Sequence, residues 1–299
     1  ILHDGGNNKC RWGMDKMVNF SDLKQPYFIG EIGINHNGDT QIAKRLVDAA
    51  FACQWDCVKF QKRNPDVCVP EYQKGKLRNT PWGRMTYLQY KYRVEFGQKE
   101  YDIINKYSKQ KPIDWTTSVW DLDSLEFMQQ YKVPFLKIPS ALITDDELIS
   151  ETAKTKIPLI ISTGMSTLEE VDNAVNLIMK EGVNPVIMHC NSSYPTPKSE
   201  LNLRVIETLK DRYDTTIGYS GHEEDLEPTV IAITLGAKVI ERHITLSHDM
   251  WGTDQKASLE VIGMDMLRKR CMEVEDILGS PEKVVTESEL PIREKLRVK

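Results

Sequence analysis

Eight times along this chain a short apolar run ends in a polar or charged residue and gives way to a helical pattern. The runs are FIGEIGIN (28–35), CVKFQ (57–61), DWTTSVW (114–120), FLKIPSA (135–141), PLIISTGM (158–165), PVIMHCN (185–191), TTIGYSG (215–221) and KVIERHIT (238–245). They are apolar on both faces, as strands buried beneath helices should be, and the alternation implies parallel pairing. Eight such units predict a single-domain α/β fold, an eight-stranded parallel β/α (TIM) barrel, whose strand C-termini converge on the face that carries the active site. A barrel of about 250 residues accounts for most of the 299 residues of the chain. The expected face presents Glu31, Lys59, Gln61, Ser118, Lys137, Ser140, Ser162, Asn191, Ser192, Ser220, His222, Glu241 and His243.

Between the strands, apolar residues at three-and-four spacing predict helices over 40–53, 99–110, 121–131, 144–155, 166–182, 201–213, 227–237 and 258–279. Asp39 or Thr40 is the expected first N-cap, Ser166 with Glu169 reads as a capping box, and Gly182 and Gly279 are expected stops. Residues 62–98 break the rhythm, with no strand or clean amphipathic helix before a tyrosine-rich stretch at 85–94. A segment this long, leaving strand two at the active face, reads as an active-site cover. The expected division is an N-terminal extension over 1–25, a barrel over 26–280 and a C-terminal arm over 281–299, with Met17 as an original start.

Charge and composition exclude several partners. A net charge of -5 leaves no electrostatic footprint for nucleic acid or an anionic membrane. No run approaches the roughly 18 to 20 apolar residues that cross a bilayer, and the start, ILHDGGNNKCRWGMDK, lacks the apolar centre of a secretory signal. The cysteines at 10, 53, 57, 68, 190 and 271 form no CxxC pair, which fits reduced thiols packed as small apolar groups in a cytoplasmic protein.

Lys59 in VKFQ and Lys137 in LKIP lie inside apolar strands, where a charge is expensive unless paired or bound to an anion. Two structural carboxylates would explain them, and a Schiff-base aldolase would explain one. Phosphate binding explains both, together with the strand-end hydroxyls of Ser118, Ser140, Ser162, Thr163, Ser192 and Ser220. His222, just past strand seven, and His243, on strand eight, come from adjacent strands, so their imidazoles can meet at one divalent metal. His3, His36, His189 and His248 lie in the start, after a turn, inside strand six and in a loop, and carry no such reading.

The segments holding these residues are FIGEIGINHNGD, VKFQ, LKIPS, STGMSTLEEV, HCNSSYPTP, IGYSGHE and ERHIT followed by WGTDQKASLE. In order and interval they resemble the sialic acid synthase family over about residues 26–280. The resemblance implies condensation of phosphoenolpyruvate with an aldose to give a 3-deoxy-2-ulosonic acid and phosphate. It implies a divalent metal, Mn2+ or Mg2+, on His222 and His243, and a homodimer. By the same resemblance Lys59, Ser118, Lys137, Ser140, Tyr194 and Ser220 contact phosphoenolpyruvate, and Gln61, Tyr194 and Asp254 contact the sugar. Asn191 and Ser192 are further substrate contacts in the strand-six motif, and Glu31 handles the proton of the water that adds at C2.

Departures from the family pattern bear on the acceptor. Ser118 stands where members carry threonine, Leu142 where they carry glutamate, and Ser192 where some carry asparagine. The family's C-terminal antifreeze-like domain would begin where the sequence ends, at Lys299. The expected acceptor is therefore an aldose other than N-acetylmannosamine. The alternatives are a synthase using a phosphorylated sugar, a Schiff-base barrel aldolase and a non-catalytic scaffold. The basic residues Lys62, Arg63, Lys74, Lys76, Arg78 and Arg84 keep the first open, and the intact lysine, histidine and glutamate set argues against the last.

Overall fold

The computed structural model describes residues 17–297. Its strands are β1 (Tyr27–Gly33), β2 (Cys57–Lys62), β3 (Leu77–Thr80), β4 (Gly83–Thr86), β5 (Asp114–Val119), β6 (Leu136–Ile138), β7 (Leu159–Ser162), β8 (Val186–Cys190), β9 (Ile217–Gly221) and β10 (Val239–His243). All but the β3–β4 hairpin join a closed barrel, in the order β1-β10-β9-β8-β7-β6-β5-β2, with every pair parallel. This is the eight-unit barrel that the strand–helix alternation predicts.

Period-two alternation sorts each strand into a lumen face and a helix face. Phe28, Ile32, Val58 and Phe60 point outward into the large core beneath the helices. Ile29, Cys57, Phe135, Ile160 and Met188 make a second core inside the barrel. Val18 and Phe20 join that core from the segment before β1, where the Val18 amide bonds the Pro134 carbonyl and Thr216 Oγ1 donates to the Phe20 carbonyl. The apolar residues thus occupy the lower lumen and leave the upper layer to polar side chains. Residues 1–16 of the expected extension, with His3 and Cys10, lie outside the described residues.

The helices begin where local chemistry allows. Asp39 caps Thr40–Ala52 by accepting from the Gln41 amide at 2.7 Å. The capping box of Leu168–Lys180 is Thr167 with Glu170, one residue later than Ser166 with Glu169. Ser166 is already engaged in the preceding turn, where its hydroxyl donates to the Gly164 carbonyl at 3.1 Å and Met165 takes a φ of 60°. The helix expected over 258–279 is shorter and broken, running Val261–Met272 and Val274–Leu278. Leu259 instead pairs in parallel with Ile244, continuing the path of β10. Residues 275–297 are exposed throughout, including the helix Leu290–Leu296. Among the described residues no helix is long and apolar enough to cross a membrane.

The 62–98 segment holds more regular structure than its pattern suggests. It forms helices Pro65–Cys68, Glu71–Lys74 and Tyr87–Val94 around the hairpin. Elements of four residues span about one helical turn and leave no periodic signal. Trp82, Met85, Tyr87 and Tyr90 pack with Ile34, Val94 and Trp251, which fastens the insertion to the rim between the end of β1 and the loop after β10.

Candidate active site

Register sets the site. Glu31 on β1 stands opposite His243 on β10 and Lys59 on β2. Gln61 stands opposite Ser118, Ser118 opposite Lys137, and Ser220 opposite both Cys190 and Glu241. These last inward positions, with Ser140, Ser162, Ser192, Tyr194 and His222, line a cavity of ≈ 210 Å³ at the barrel mouth. None of residues 62–98 lines it, so the insertion borders the mouth rather than roofing the floor. A larger hollow of ≈ 620 Å³ shares the Trp120 and Ala141 wall. Asp121, Asp123, Asp145 and Glu147 surround it, with Leu142 and no basic side chain, so an anion belongs in the smaller cavity.

A buried ion network forms the floor. Lys59 Nζ lies 2.5 Å from Glu31 Oε2 and 3.7 Å from Glu241 Oε2, and Lys137 Nζ lies 2.6 Å from Glu241 Oε1. Both lysines therefore have the carboxylate neighbours that a purely structural role would require, yet all four groups face the cavity. Burial alone would lower Lys59, but Glu241 and then Glu31 outweigh it and hold the ammonium above its ordinary value. Burial pulls Lys137 below its ordinary value; Glu241 opposes this, and the Lys59 cation adds to it. Burial would raise Glu241, but Lys137 and Lys59 bring it down to about 2. Gln61 donates to Glu31 Oε1 at 3.0 Å and Ser220 to Glu241 Oε1 at 3.1 Å.

Hydroxyls complete the floor. Ser162 Oγ is buried with no hydrogen-bond partner. Ser140 Oγ accepts from the Gly164 amide at 3.0 Å, and Ser118 Oγ accepts from Trp120 Nε1 at 3.1 Å. A Cβ on Gly164 would stand 2.2 Å from Ser192 Oγ and 2.8 Å from Ser140 Oγ, so only glycine leaves room between the two serines. An orphan hydroxyl, two lysines and this cradle suit a phosphorylated anion.

The histidines meet as the strand order requires. Their ring centroids are 5.3 Å apart. His222 Nδ1 lies 2.6 Å from the Asn191 carbonyl, which places its proton there and leaves Nε2, 2.8 Å from the Tyr194 hydroxyl, as the donor of an electron pair. Burial first, and His243 second, push His222 down to about 3, so the ring stays neutral as a ligand must. His243 Nδ1 is buried without a partner. Among the described residues no group of three His, Cys, Asp or Glu side chains could hold a metal. The donor set fits a divalent ion on two imidazoles with its other positions open to water and substrate.

Two expected contacts lie off the cavity. Asn191 turns its amide to the Glu200 carbonyl and offers His222 only its backbone oxygen. Asp254 is half-buried at the rim, where Oδ1 accepts from Thr253. The cavity also contains Trp120, Cys190 and Met165, which sequence reasoning missed, and it gives Glu241 a central place. For Glu241 the signal was present, since it stands two residues before His243 on the same lumen face.

The NeuB family model matches residues 46–283. The chain is 35% identical over 273 residues to N-acetylneuraminate-9-phosphate synthase of Homo sapiens, covering 90% of this chain and 76% of that protein. It is 35% identical over 282 residues to N,N'-diacetyllegionaminic acid synthase of Legionella pneumophila, covering 91% and 78%. Among solved structures, N-acetylneuraminic acid (sialic acid) synthetase from Leptospira borgpetersenii, in complex with citrate, superposes with a TM-score of 0.82 at 28% identity, covering 95% of this chain and 98% of that one.

Proposed function

The chain belongs to the NeuB family, and we propose that it condenses phosphoenolpyruvate with an open-chain aldose and water to release phosphate and a 3-deoxy-2-ulosonic acid. One observation carries this reading: Lys59, Lys137 and the partnerless Ser162 hydroxyl share one small cavity with the His222–His243 pair. The lysines hold the carboxylate and phosphate of phosphoenolpyruvate, with Ser140 and Ser220 beside them. Its C3 attacks the aldehyde carbon, leaving cationic character at C2. The C=O π pair moves onto the aldehyde oxygen, which takes up a proton to become the product hydroxyl. Water adds to C2, and the bond from C2 to the ester oxygen breaks as phosphate leaves. Glu31 takes the proton of that water at Oε1, the oxygen that Gln61 orients. A divalent metal, Mn2+ or Mg2+, bound by His222 and His243 would supply Lewis-acid polarisation of the aldehyde.

The test is phosphate release from phosphoenolpyruvate against a panel of aldoses, with and without divalent metal. Release should need both aldose and metal, and borohydride added during turnover should leave the protein mass unaltered. A reduced adduct on Lys59 or Lys137 would move the chain to the Schiff-base aldolases, and absence of phosphoenolpyruvate turnover with every aldose would overturn the reading.

The same reading places the protein in the cytoplasm, where buried free thiols such as Cys53, Cys57 and Cys271 persist reduced. It also makes the protein a homodimer, since closed two-fold symmetry is the commonest soluble assembly and Leu290, Ile292 and Leu296 leave apolar surface exposed. Light scattering should return twice the chain mass; a strict monomer at working concentration would remove the dimer and leave the chemistry untouched.

A further inference from the structure

Directly behind the two histidines, on the helix side of the barrel, lies a buried ion pair that the proposed chemistry does not use. Arg242 stands between Glu241 and His243 on β10, so period-two alternation turns it away from the cavity. It is fully buried, and its Nη1 lies 2.9 Å from Oε1 of Glu223, which is 1% exposed. Glu223 follows His222 in the turn after β9. The same guanidinium donates to the backbone carbonyls of Glu223 and Asp225, the second at 3.1 Å. It also donates to Thr229 Oγ1 at 2.9 Å, on the helix Glu227–Thr234. Tyr219 on β9 donates to Glu223 Oε2 at 2.8 Å. Through Glu223, one residue of β10 is thus tied to the strand before His222, the turn that carries it and the helix that follows.

A pair this deeply buried is weak evidence for a role in stability, because desolvation offsets most of the attraction and apolar residues of similar volume would serve as well. Arg242 also leaves Nε buried without a partner, a further cost to the fold. What the pair does supply is geometry. The β9–β10 register ends at Gly221 opposite Arg242, one residue short of the histidines. Past that point the ladder no longer fixes His222 against His243, and the bonds from Arg242 to two carbonyls of the turn take its place. The planar fork of arginine suits this task, whereas a lysine ammonium would bring the charge without the fixed directions. Gly221 makes room for the clamp: a Cβ there would stand 2.6 Å and 2.8 Å from the Glu223 carboxylate oxygens. The Asn191 carbonyl orients the His222 ring from the β8 side, but His243 has no hydrogen bond at Nδ1 to orient its own. The separation of the rings, 5.3 Å between centroids, therefore depends on how the two backbones are held. We propose that Arg242 and Glu223 are positioning residues, which set His222 against His243 at the spacing that one divalent ion requires. The proposal rests on the metal in the condensation reading and extends it to side chains that line no part of the cavity.

The test is calorimetric titration of the whole chain with Mn2+, without substrates. It compares wild type with Arg242→Lys, Gly221→Ala and the double variant Arg242→Met with Glu223→Gln. Arg242→Lys keeps the charge and loses the fork, and Gly221→Ala keeps both charges and displaces the carboxylate. The double variant removes both charges together and so leaves no orphaned ion in the core. Each should weaken Mn2+ binding by roughly 10 to 100-fold, the scale on which partners outside the ligand shell act. Far-ultraviolet spectra at the titration temperature should show the variants folded. In turnover, the Mn2+ concentration that gives half the maximal rate should rise by the same factor, while KM for phosphoenolpyruvate at saturating Mn2+ stays at the wild-type value. Unchanged Mn2+ affinity in the folded variants overturns the proposal, as does a wild type that binds no Mn2+. A rise in KM for phosphoenolpyruvate as large as the loss of Mn2+ affinity would mark a general loosening of the mouth and equally overturn it. If no variant folds, the pair serves the fold and the proposal falls. Mn2+ binding that the variants weaken, in a protein that turns over no aldose with phosphoenolpyruvate, would instead retain the positioning role and remove the condensation reading.

Discussion

His222→Ala and His243→Ala are each expected to lower phosphate release by about 10³-fold or more, roughly 4 kcal/mol of barrier. The two rings are the only imidazoles on the cavity wall among the described residues. His222 is held neutral and oriented by the Asn191 carbonyl, and His243 Nδ1 is left without a protein partner. Lewis-acid polarisation of a carbonyl supplies several kcal/mol, and removing one of two protein ligands should forfeit most of it. Both side chains stand at the barrel mouth, one just past β9 and one at the last residue of β10, outside the apolar clusters that hold the fold together. Far-ultraviolet spectra and melting should therefore stay close to wild type. Calorimetric titration with Mn2+ should show binding lost in both variants, independently of turnover. Chelation should abolish activity, and Mn2+ or Mg2+ should restore it. Full activity in protein verified free of metal would remove the ion from the mechanism.

Much of this site was legible because a barrel turns a local pattern into a place. Each strand shows apolar residues and then a polar inward one, and closure brings eight such ends together. Lys59 and Lys137 stood out as charges within apolar strands, and His222 and His243 as neighbours at strand ends. Their partners were not legible. Glu31 meets both Lys59 and His243 only because the first strand closes against the last, and a register between residues 31 and 243 has no local signature. Gly164 reads as an ordinary loop glycine until its neighbours in space, Ser140 and Ser192, are known. The insertion was opaque for a different reason: Arg63, Arg78 and Lys91 lie over the rings of Trp120, Tyr90 and Tyr87, and sequence order does not report such contacts.

The buried lysines raise a choice that geometry alone leaves balanced, since Glu31 and Glu241 would explain them without any ligand. Lys59→Met should separate the two roles. It leaves Glu31 and Glu241 buried beside each other with one fewer cation, and breaking a buried pair in this way costs about 3–5 kcal/mol. Denaturant unfolding should show that loss. It should also lower kcat/KM for phosphoenolpyruvate by roughly 10 to 200-fold, one charge-assisted contact of about 1.5–3 kcal/mol. The double substitution Lys59→Met with Glu31→Gln removes the orphaned charge and should recover most of the stability. Because Glu31 also takes the proton in turnover, the readout for the double variant is phosphoenolpyruvate affinity by calorimetry, compared with Glu31→Gln alone. If the lysine serves only the fold, affinity matches Glu31→Gln once stability returns; if it clamps substrate, the protein refolds firmly and still binds phosphoenolpyruvate more weakly. The pH dependence has a definite sign. Glu241 is held down at about 2 by Lys137 and Lys59 against the penalty of burial, from an ordinary value of 4.5. Its contribution to stability is complete above about 4.5 and is lost as pH falls through that window toward 2, because the unfolded chain then binds the proton first. Lys137→Met should flatten this acid limb by taking away the nearest cation. An acid limb unchanged in Lys137→Met, together with unchanged kinetics for phosphoenolpyruvate in both lysine variants, would show that neither lysine plays the part assigned to it.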